Sequence, residues 1–378
     1  MKKTPDILYV GFLLGHGGDA LQMMELASGM MRRGRNVKII VPKLPTSIEF
    51  AETCRKRGIP VDRSDLIRAD VTGARQSLLN LIRFFGTNRA PILHFHTGDV
   101  CLPRTVVIAM GLLRLPPAFV TIQSPYSHLS PSSLRARSWA SAVARRFQQV
   151  ICPSRHSREF QLSYGVPKER VQTINNSVDL SRFSFGDPDI VRNSLNLSAE
   201  TPLIVFTSRL DHQKRPLEAI KAFKSIAARI PDVHFAIVGS GTLEGECRAA
   251  VAEANLEDRV HFAGYQTNVQ DWLAAATVWY LPTESENFSL AVLEALAAGC
   301  AVVSTNCPGN DEVLVDGDNS LLTEVGDVDA QAAALYSLLT DDNLRSKLKH
   351  AARAVAQNYS ADRMVEAYAQ CYRDQKSV

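Results

Sequence analysis

The chain has 378 residues, 46% of them hydrophobic and 21% charged, a composition typical of folded globular proteins. That apolar content offsets chain entropy and excludes a mainly disordered chain, and the length is enough for two or three domains. The formal net charge of +3 hides an asymmetry: residues 1–180 hold 25 Lys and Arg against 12 Asp and Glu, a balance of +13, and the rest of the chain carries −10.

In chain order the pattern is strand, Gly-rich turn, helix, repeated. Ile7–Phe12 is a short apolar run followed by Gly15, Gly17 and Gly18. Ala20–Met31 then carries Leu21, Met24, Leu26, Ala27 and Met30 at helical spacing. Asn36–Val41, Ile92–His96, Ala118–Gln123 and Val150–Cys152 read as further strands with helical segments between them. Ser132–Gln148 reads as a basic helix with Leu134, Trp139, Val143 and Phe147 as apolar positions. Residues 184–202 are polar and rich in turn formers, a seam after which the same grammar restarts. Leu203–Thr207, Val233–Val238, Val260–Ala263, Val278–Leu281 and Ala301–Ser304 read as buried strands, each followed by a helical pattern. Ser360–Arg373 is an amphipathic helix. This alternation predicts an α/β fold of two doubly wound parallel-sheet domains in tandem. The expected boundaries are 1–183, 184–358 and a closing helical segment, 359–378.

Membrane spans and leaders are not expected. The best apolar run, Thr105–Leu113, stops at Arg114, well short of the roughly 20 residues a span needs, and MKKTPDILYVGF reads as a first strand. Seven cysteines are scattered with no Cys-x-x-Cys pair, which points to reduced thiols in a cytoplasm and away from a disulfide framework or structural zinc.

In open parallel sheets, ligands sit beyond the carboxyl ends of the strands, so the active site is expected between the two domains. The strongest chemical signal is Glu286-Asn-Phe-Ser-Leu-Ala-Val-Leu-Glu294. Glu286 precedes a helix, and Glu294 lies inside it among apolar residues, where a carboxylate is costly unless a ligand binds it. Sugar or ribose hydroxyls are suitable donors, and the N–H groups of Ser289 and Leu290 at the helix start suit an anion. The plainer alternative pairs Glu294 with an internal arginine and leaves Glu286 solvated. A second element is Ser208-Arg209-Leu210-Asp211-His212-Gln213-Lys214. A guanidinium and an ammonium converging from one strand end suit a diphosphate, while an ordinary surface pair fits the local sequence equally well.

With these elements in order, the chain resembles the retaining nucleotide-sugar glycosyltransferases of family 4, which have the GT-B fold of two Rossmann-like domains facing a central cleft. The resemblance covers nearly the whole chain. It runs from GGDALQMMELASGMMRRG and His94-Phe-His96 through Val150-Ile-Cys-Pro-Ser154 and Ile174–Phe183. It continues through Arg209 and Lys214, Val238-Gly-Ser-Gly241, Val260–Gly264 and the two glutamates to Cys307-Pro-Gly-Asn-Asp-Glu312.

The resemblance implies that Arg209 and Lys214 bind the donor diphosphate and stabilise the leaving group. Glu286 would hold hydroxyls of the transferred sugar, with the backbone of Asn287, Phe288, Ser289 and Leu290 supporting sugar and phosphate, and Glu294 would take the ribose. Gly17 and Gly18 would let the first loop approach the phosphate, and the base would stack near Gly264 and Tyr265. His96 and Gln123 fall at catalytic positions of the acceptor-binding N-terminal domain. Three departures stand out: Asn287 and Ser289 replace glycines, and Gln123 replaces a histidine. An amide can hydrogen-bond a sugar but cannot take a proton.

The expected activity is retaining, metal-independent transfer of a hexosyl unit from a nucleotide-diphospho sugar, a UDP-sugar above all, to an acceptor hydroxyl in polysaccharide, glycolipid or other glycoconjugate synthesis. No cofactor, metal or nucleic-acid partner is expected. Asp187/Asp189, Asp316/Asp318 and Asp327/Asp329 match a bare Asp-x-Asp pattern but read as turns, and Gly239-Ser-Gly241 lacks the third glycine of a dinucleotide fingerprint. The alternatives are a sugar-nucleotide epimerase or phosphorylase on the same fold, or a non-catalytic nucleotide-sugar binding subunit. The basic N-terminal half, with Arg135, Arg137, Arg145 and Arg146 around Trp139, is expected to bind a glycan or lipid-linked acceptor and to lie peripherally on an anionic membrane at its cytoplasmic face. The plainer alternative makes Trp139 and Phe147 core residues.

Overall fold

The computed structural model describes residues 4–12, 17–67, 74–97, 104–113, 115, 118–123 and 141–374. The chain divides into two compact units, Met1–Asn176 with Ala361–Val378, and Ser177–Ser360.

The first unit is built on seven parallel strands: β1 (Ile7–Gly11), β2 (Val37–Pro42), β3 (Val61–Ser64), β4 (Ile92–Thr97), β5 (Ala118–Ile122), β6 (Phe147–Cys152) and β7 (Val171–Thr173). They lie in the order β3-β2-β1-β4-β5-β6-β7. Strands β1 and β5 are buried at every position, as expected of apolar strands covered by helices on both faces. One face carries Phe84, Phe85, Phe95, Val106 and Met110. The other packs Tyr9, Met23, Met24, Met30 and Phe50 together with Met364, Val365, Tyr368 and Tyr372 of the last helix, Ala361–Arg373.

The second unit has six parallel strands: β8 (Leu203–Thr207), β9 (His234–Val238), β10 (Val260–Gly264), β11 (Val278–Leu281), β12 (Val302–Thr305) and β13 (Leu321–Thr323). Their order is β10-β9-β8-β11-β12-β13, around a single continuous core that includes Trp279, Tyr280, Phe206 and Phe223.

Three sequence expectations are corrected. The helix expected over Ser132–Gln148 runs into β6, which begins at Phe147 and pairs that residue with Ala118. Val143 and Phe147 are buried in the first unit's core and cannot anchor a membrane. Leu134, Arg135, Arg137 and Trp139 lie outside the described residues. The seam falls at Ser177 rather than 184, because Val178 pairs with Ser360 and is buried with Phe183 in the second core. Finally, β3, β7 and β13 were not expected. They are three or four residues long, stand at sheet edges and carry polar residues, so they lack the buried apolar run that marks a central strand.

The aspartates read as turns do local structural work. Asp187 and Asp327 cap helices, and Asp316 accepts from the Leu322 N–H at 2.8 Å. The six described cysteines are free and buried; Cys101 lies outside the described residues. Among the described residues no helix is long and apolar enough to cross a membrane.

Candidate active site

In each sheet the strand order reverses between two neighbours: β1 and β4 in the first, β8 and β11 in the second. The crevice outside the carboxyl ends at such a switch point is where open α/β sheets hold ligands.

In the second unit, the loop leaving β8 carries Arg209, and the loop leaving β11 carries Glu286. Two glycines brace the first loop from behind. A Cβ on Gly239 would lie 1.9 Å from the Ser208 carbonyl oxygen, and one on Gly241 would lie 2.3 Å from that of Leu210. The Asp211 carboxylate accepts from the Lys214 N–H at 3.2 Å, capping the turn His212–Lys214. Its second oxygen lies 3.0 Å from Arg209 Nη1. Arg209 nevertheless keeps 70% of its side chain exposed, so its guanidinium remains available to a ligand.

Lys214 is different. Its Nζ lies 2.6 Å from Glu286 Oε1, and the two residues are 8% and 5% exposed. The solvated glutamate and the ordinary surface pair are therefore both excluded. Two buried charges held this close stabilise each other only with good geometry, and the surroundings supply it. The Gln213 carbonyl accepts from the Glu284 N–H at 2.8 Å and from Thr283 Oγ1 at 3.1 Å, and its amide donates to the Ser285 carbonyl at 2.7 Å. The Glu286 N–H donates to the Pro308 carbonyl at 2.9 Å. Gly309, at φ +89°, sits where a Cβ would be 2.2 Å from the Glu286 carbonyl oxygen, so only glycine fits.

Helix Leu290–Ala298 follows. Ser289 caps it by accepting from the Val292 N–H at 3.4 Å, leaving the earlier N–H groups without carbonyl partners in the helix. Phe288 is buried against Tyr359 with ring centroids 5.3 Å apart, so it offers a ligand its backbone rather than its ring. Glu294 lies between buried Leu293 and Ala295. Burial pushes its carboxyl up to about 7, against a weaker opposing pull from Arg182. Arg182 donates instead to Gln270 Oε1 at 3.2 Å and the Thr267 carbonyl at 2.7 Å. Among the described residues no side chain donates to Glu294, so the internal arginine pair is excluded as well.

Gly264 joins this group through its carbonyl, which accepts from the Gly239 N–H at 2.8 Å behind the Arg209 loop, and Tyr265 follows it. Gly264 ends β10, two strands from β8. Gly264 has φ +66° with open space where a Cβ would be, and Tyr265 is 63% exposed.

In the first unit, Gly17 and Gly18 open helix Gly18–Arg32, with Gly17 at the cap position. His96 pairs in register with Gly11 at the switch point. Its ring is buried, and neither nitrogen has a hydrogen-bond partner among the described residues. Burial pushes it down to about 3, so it is a neutral imidazole. Its neighbour His94 is fully engaged: Nδ1 lies 2.5 Å from the Tyr372 hydroxyl and Nε2 2.8 Å from Thr121 Oγ1. Gln123 follows β5 and donates its N–H to the Thr97 carbonyl at 2.9 Å.

The structure thus gathers Arg209, Lys214, Glu286 and the start of helix Leu290–Ala298 in one unit, and Gly17, Gly18, His96 and Gln123 at the strand ends of the other. Sequence reasoning missed Gln213 and Gly309. Gln213 lies between two residues already singled out, but an amide carries no charge signal. Gly309 belongs to a quoted motif whose role shows only in three dimensions.

Residues 187–355 match the family model "Glycosyl transferases group 1", and residues 16–182 match "Glycosyltransferase Family 4". An N-acetyl-alpha-D-glucosaminyl L-malate synthase of Bacillus anthracis is 30% identical over 55% of this chain and 55% of its own length. For this relative, and for a lipopolysaccharide core glycosyltransferase of Rhizobium meliloti matched over 58% of its length, the chain spans little more than half of the curated protein. An Escherichia coli UDP-Gal:alpha-D-GlcNAc-diphosphoundecaprenol alpha-1,3-galactosyltransferase is 24% identical over 94% of this chain and 96% of its own length. Among solved structures, Anabaena HepE in complex with UDP and glucose superposes with a TM-score of 0.81 at 20% identity, over 98% of this chain and all of that one. A glycosyltransferase of Rickettsia africae does so with a TM-score of 0.84 at 16% identity, over 99% and 100%. The fold is GT-B, and the chain belongs to the family-4 glycosyltransferases.

Proposed function

We propose that the chain is a metal-independent, retaining hexosyltransferase that takes its sugar from a UDP-sugar. The observation that carries this reading is the buried Lys214–Glu286 pair beside the exposed Arg209 at the β8/β11 switch point. A nucleoside diphosphate leaves with negative charge, and fixed cations aimed at that charge in a partly dry crevice supply most of the catalysis in such a reaction. Arg209, largely exposed although its Nη1 lies 3.0 Å from Asp211, would take the diphosphate. Lys214 would share its charge between the phosphate and Glu286, which would in turn accept from hydroxyls of the sugar. Glu294, without an internal partner, would accept from the ribose. No carboxylate pair of the glycosidase type is needed when the leaving phosphate oxygen takes the acceptor proton. UDP as the donor's nucleotide is supported by its presence with HepE and by the name of the Escherichia coli relative.

On the acceptor side, the first unit's excess of basic residues suits a glycan or lipid-linked acceptor bearing phosphate, and peripheral association with an anionic membrane at the cytoplasmic face. The Escherichia coli relative is named for a diphosphoundecaprenol acceptor. Arg145 and Arg146 are exposed beyond the buried Val143 and Ala144 and remain available to an anionic surface.

A thermal-shift screen of nucleoside diphosphates and their sugars tests the reading. UDP and one UDP-hexose should raise the melting temperature, a ligand at 100 times its Kd contributing about 2.7 kcal/mol. Release of UDP from that UDP-hexose should be stimulated by acceptor, which takes the hexosyl unit, and survive EDTA. Loss of activity on chelation would reopen a metal-dependent route, and epimerised donor without transfer would replace the transferase by an epimerase.

A further inference from the structure

The first unit holds a cavity of about 220 Å³ at the opposite end of its sheet from His96 and Gln123. Its floor is apolar, formed by Ile7 and Ile92 at the first positions of β1 and β4 and by Tyr372 of the last helix. Its rim holds three guanidinium groups, Arg33, Arg35 and Arg373. One carboxylate serves two of them: Glu366 lies 2.5 Å from Arg33 Nη2 and 2.7 Å from Arg373 Nη2. Arg35 makes no ion pair or side-chain hydrogen bond among the described residues. Of the other carboxylates, Asp374, next to Arg373 in sequence, accepts from Gln370 Nε2 at 2.7 Å, and Asp6 accepts from the Asn36 N–H at 2.8 Å. A concave site with excess positive charge over a low-dielectric floor concentrates anions. Its volume is below the roughly 300 Å³ at which pockets for drug-sized ligands begin, so it fits a small anion and not a second nucleotide sugar.

We propose that this cavity is a binding site for a phosphate group bearing a short carbon stem, a phosphomonoester or the headgroup of a phosphatidic-acid-type lipid. Arg35 makes the direct contact, with Arg33 and Arg373 turning their remaining N–H groups to the same anion. Because its walls come from β1, β4 and helix Ala361–Arg373, the bound anion ties the last helix to the first sheet. The site is independent of the donor reading.

The test is calorimetric titration of the full chain with inorganic phosphate and with glycerol 3-phosphate, and co-sedimentation with phosphatidylcholine vesicles with and without phosphatidic acid. Each is repeated on Arg35→Ser, which removes no ion pair or side-chain hydrogen bond among the described residues, and on Arg209→Ser, which alters the proposed donor site. Losing one charge-assisted contact should weaken binding by about tenfold or more. Binding of glycerol 3-phosphate that falls in Arg35→Ser and persists in Arg209→Ser supports a site for a free phosphomonoester. Sedimentation that needs phosphatidic acid and falls in Arg35→Ser supports a headgroup site. No binding in either assay, or binding lost only in Arg209→Ser, overturns the proposal.

Discussion

Lys214 and Glu286 illustrate how the same charge can serve structure and chemistry, and the two roles separate by substitution. Removing one partner of a buried ion pair leaves the other unpaired and costs about 3–5 kcal/mol, so Lys214→Ala should lower both UDP binding and stability to denaturant. Arg209 is largely exposed and among the described residues its only ion pair is with Asp211, so Arg209→Ala should leave stability within about 0.5 kcal/mol of wild type while weakening UDP binding at least about tenfold. Chemical denaturation and calorimetric titration of both variants check this contrast; equal stability losses would show that Arg209 is structural too. Glu286→Gln should reduce transfer while largely sparing UDP, which carries no sugar. Glu294 gives a pH signature. Its folded-state carboxyl is raised from 4.5 to about 7 by burial, so the protonated form is favoured in the folded protein. The associated stability is fully present below about 4.5 and is lost as pH rises toward 7. Ribose hydroxyls donating to the carboxylate favour the charged form. UDP binding should therefore strengthen from pH 6 to pH 8 with release of a proton, and Glu294→Gln should flatten that dependence. An unchanged slope in the variant would remove Glu294 from the ribose site.

At the scale of elements, central strands were legible because they are apolar runs buried throughout, and long helices because their buried residues recur at helical spacing. β8 and β11 match their sequence-derived limits, and both are buried throughout. Short edge strands were not legible, since β3 and β13 have little apolar surface to show. The basic helix was extended too far because Phe147 fits a helical period and equally well starts a strand; its pairing with Ala118 decides the matter, and pairing is not visible in one segment. The candidate site followed the same division. Arg209, Lys214, Glu286 and Glu294 were legible as charges in or beside apolar elements. The stitching by Gln213 and the close approach at Gly309 depend on which loops meet. Another such contact joins the last helix to the first: a Cβ on Gly29 would lie 2.2 Å from Val365 Cγ2. Overpacking of this kind costs about 1–3 kcal/mol. Gly29→Ala should therefore destabilise the first unit, and Val365→Ala should restore part of the loss. A double-mutant cycle by urea denaturation reads the coupling; simple additivity would mean that the two helices do not meet at this glycine.

For the whole molecule, each buried apolar cluster of described residues belongs to one unit. Units with separate cores need not unfold together, so calorimetric melting should resolve two transitions, with UDP raising the one that belongs to Ser177–Ser360. A single transition shifted as a block would show strong coupling between the units. Under the proposed function, the opposite charges of the two halves would divide the labour: the acidic half would gather a few cations at one strand edge for the donor, and the basic half would face the acceptor. That division rests on the donor site. Its most direct test is titration of UDP into the wild-type chain and Arg209→Ala under identical conditions. The account predicts saturable one-to-one binding to the wild type and at least about tenfold weaker binding to the variant. Equal affinities, or no binding of UDP to the wild type, would contradict it.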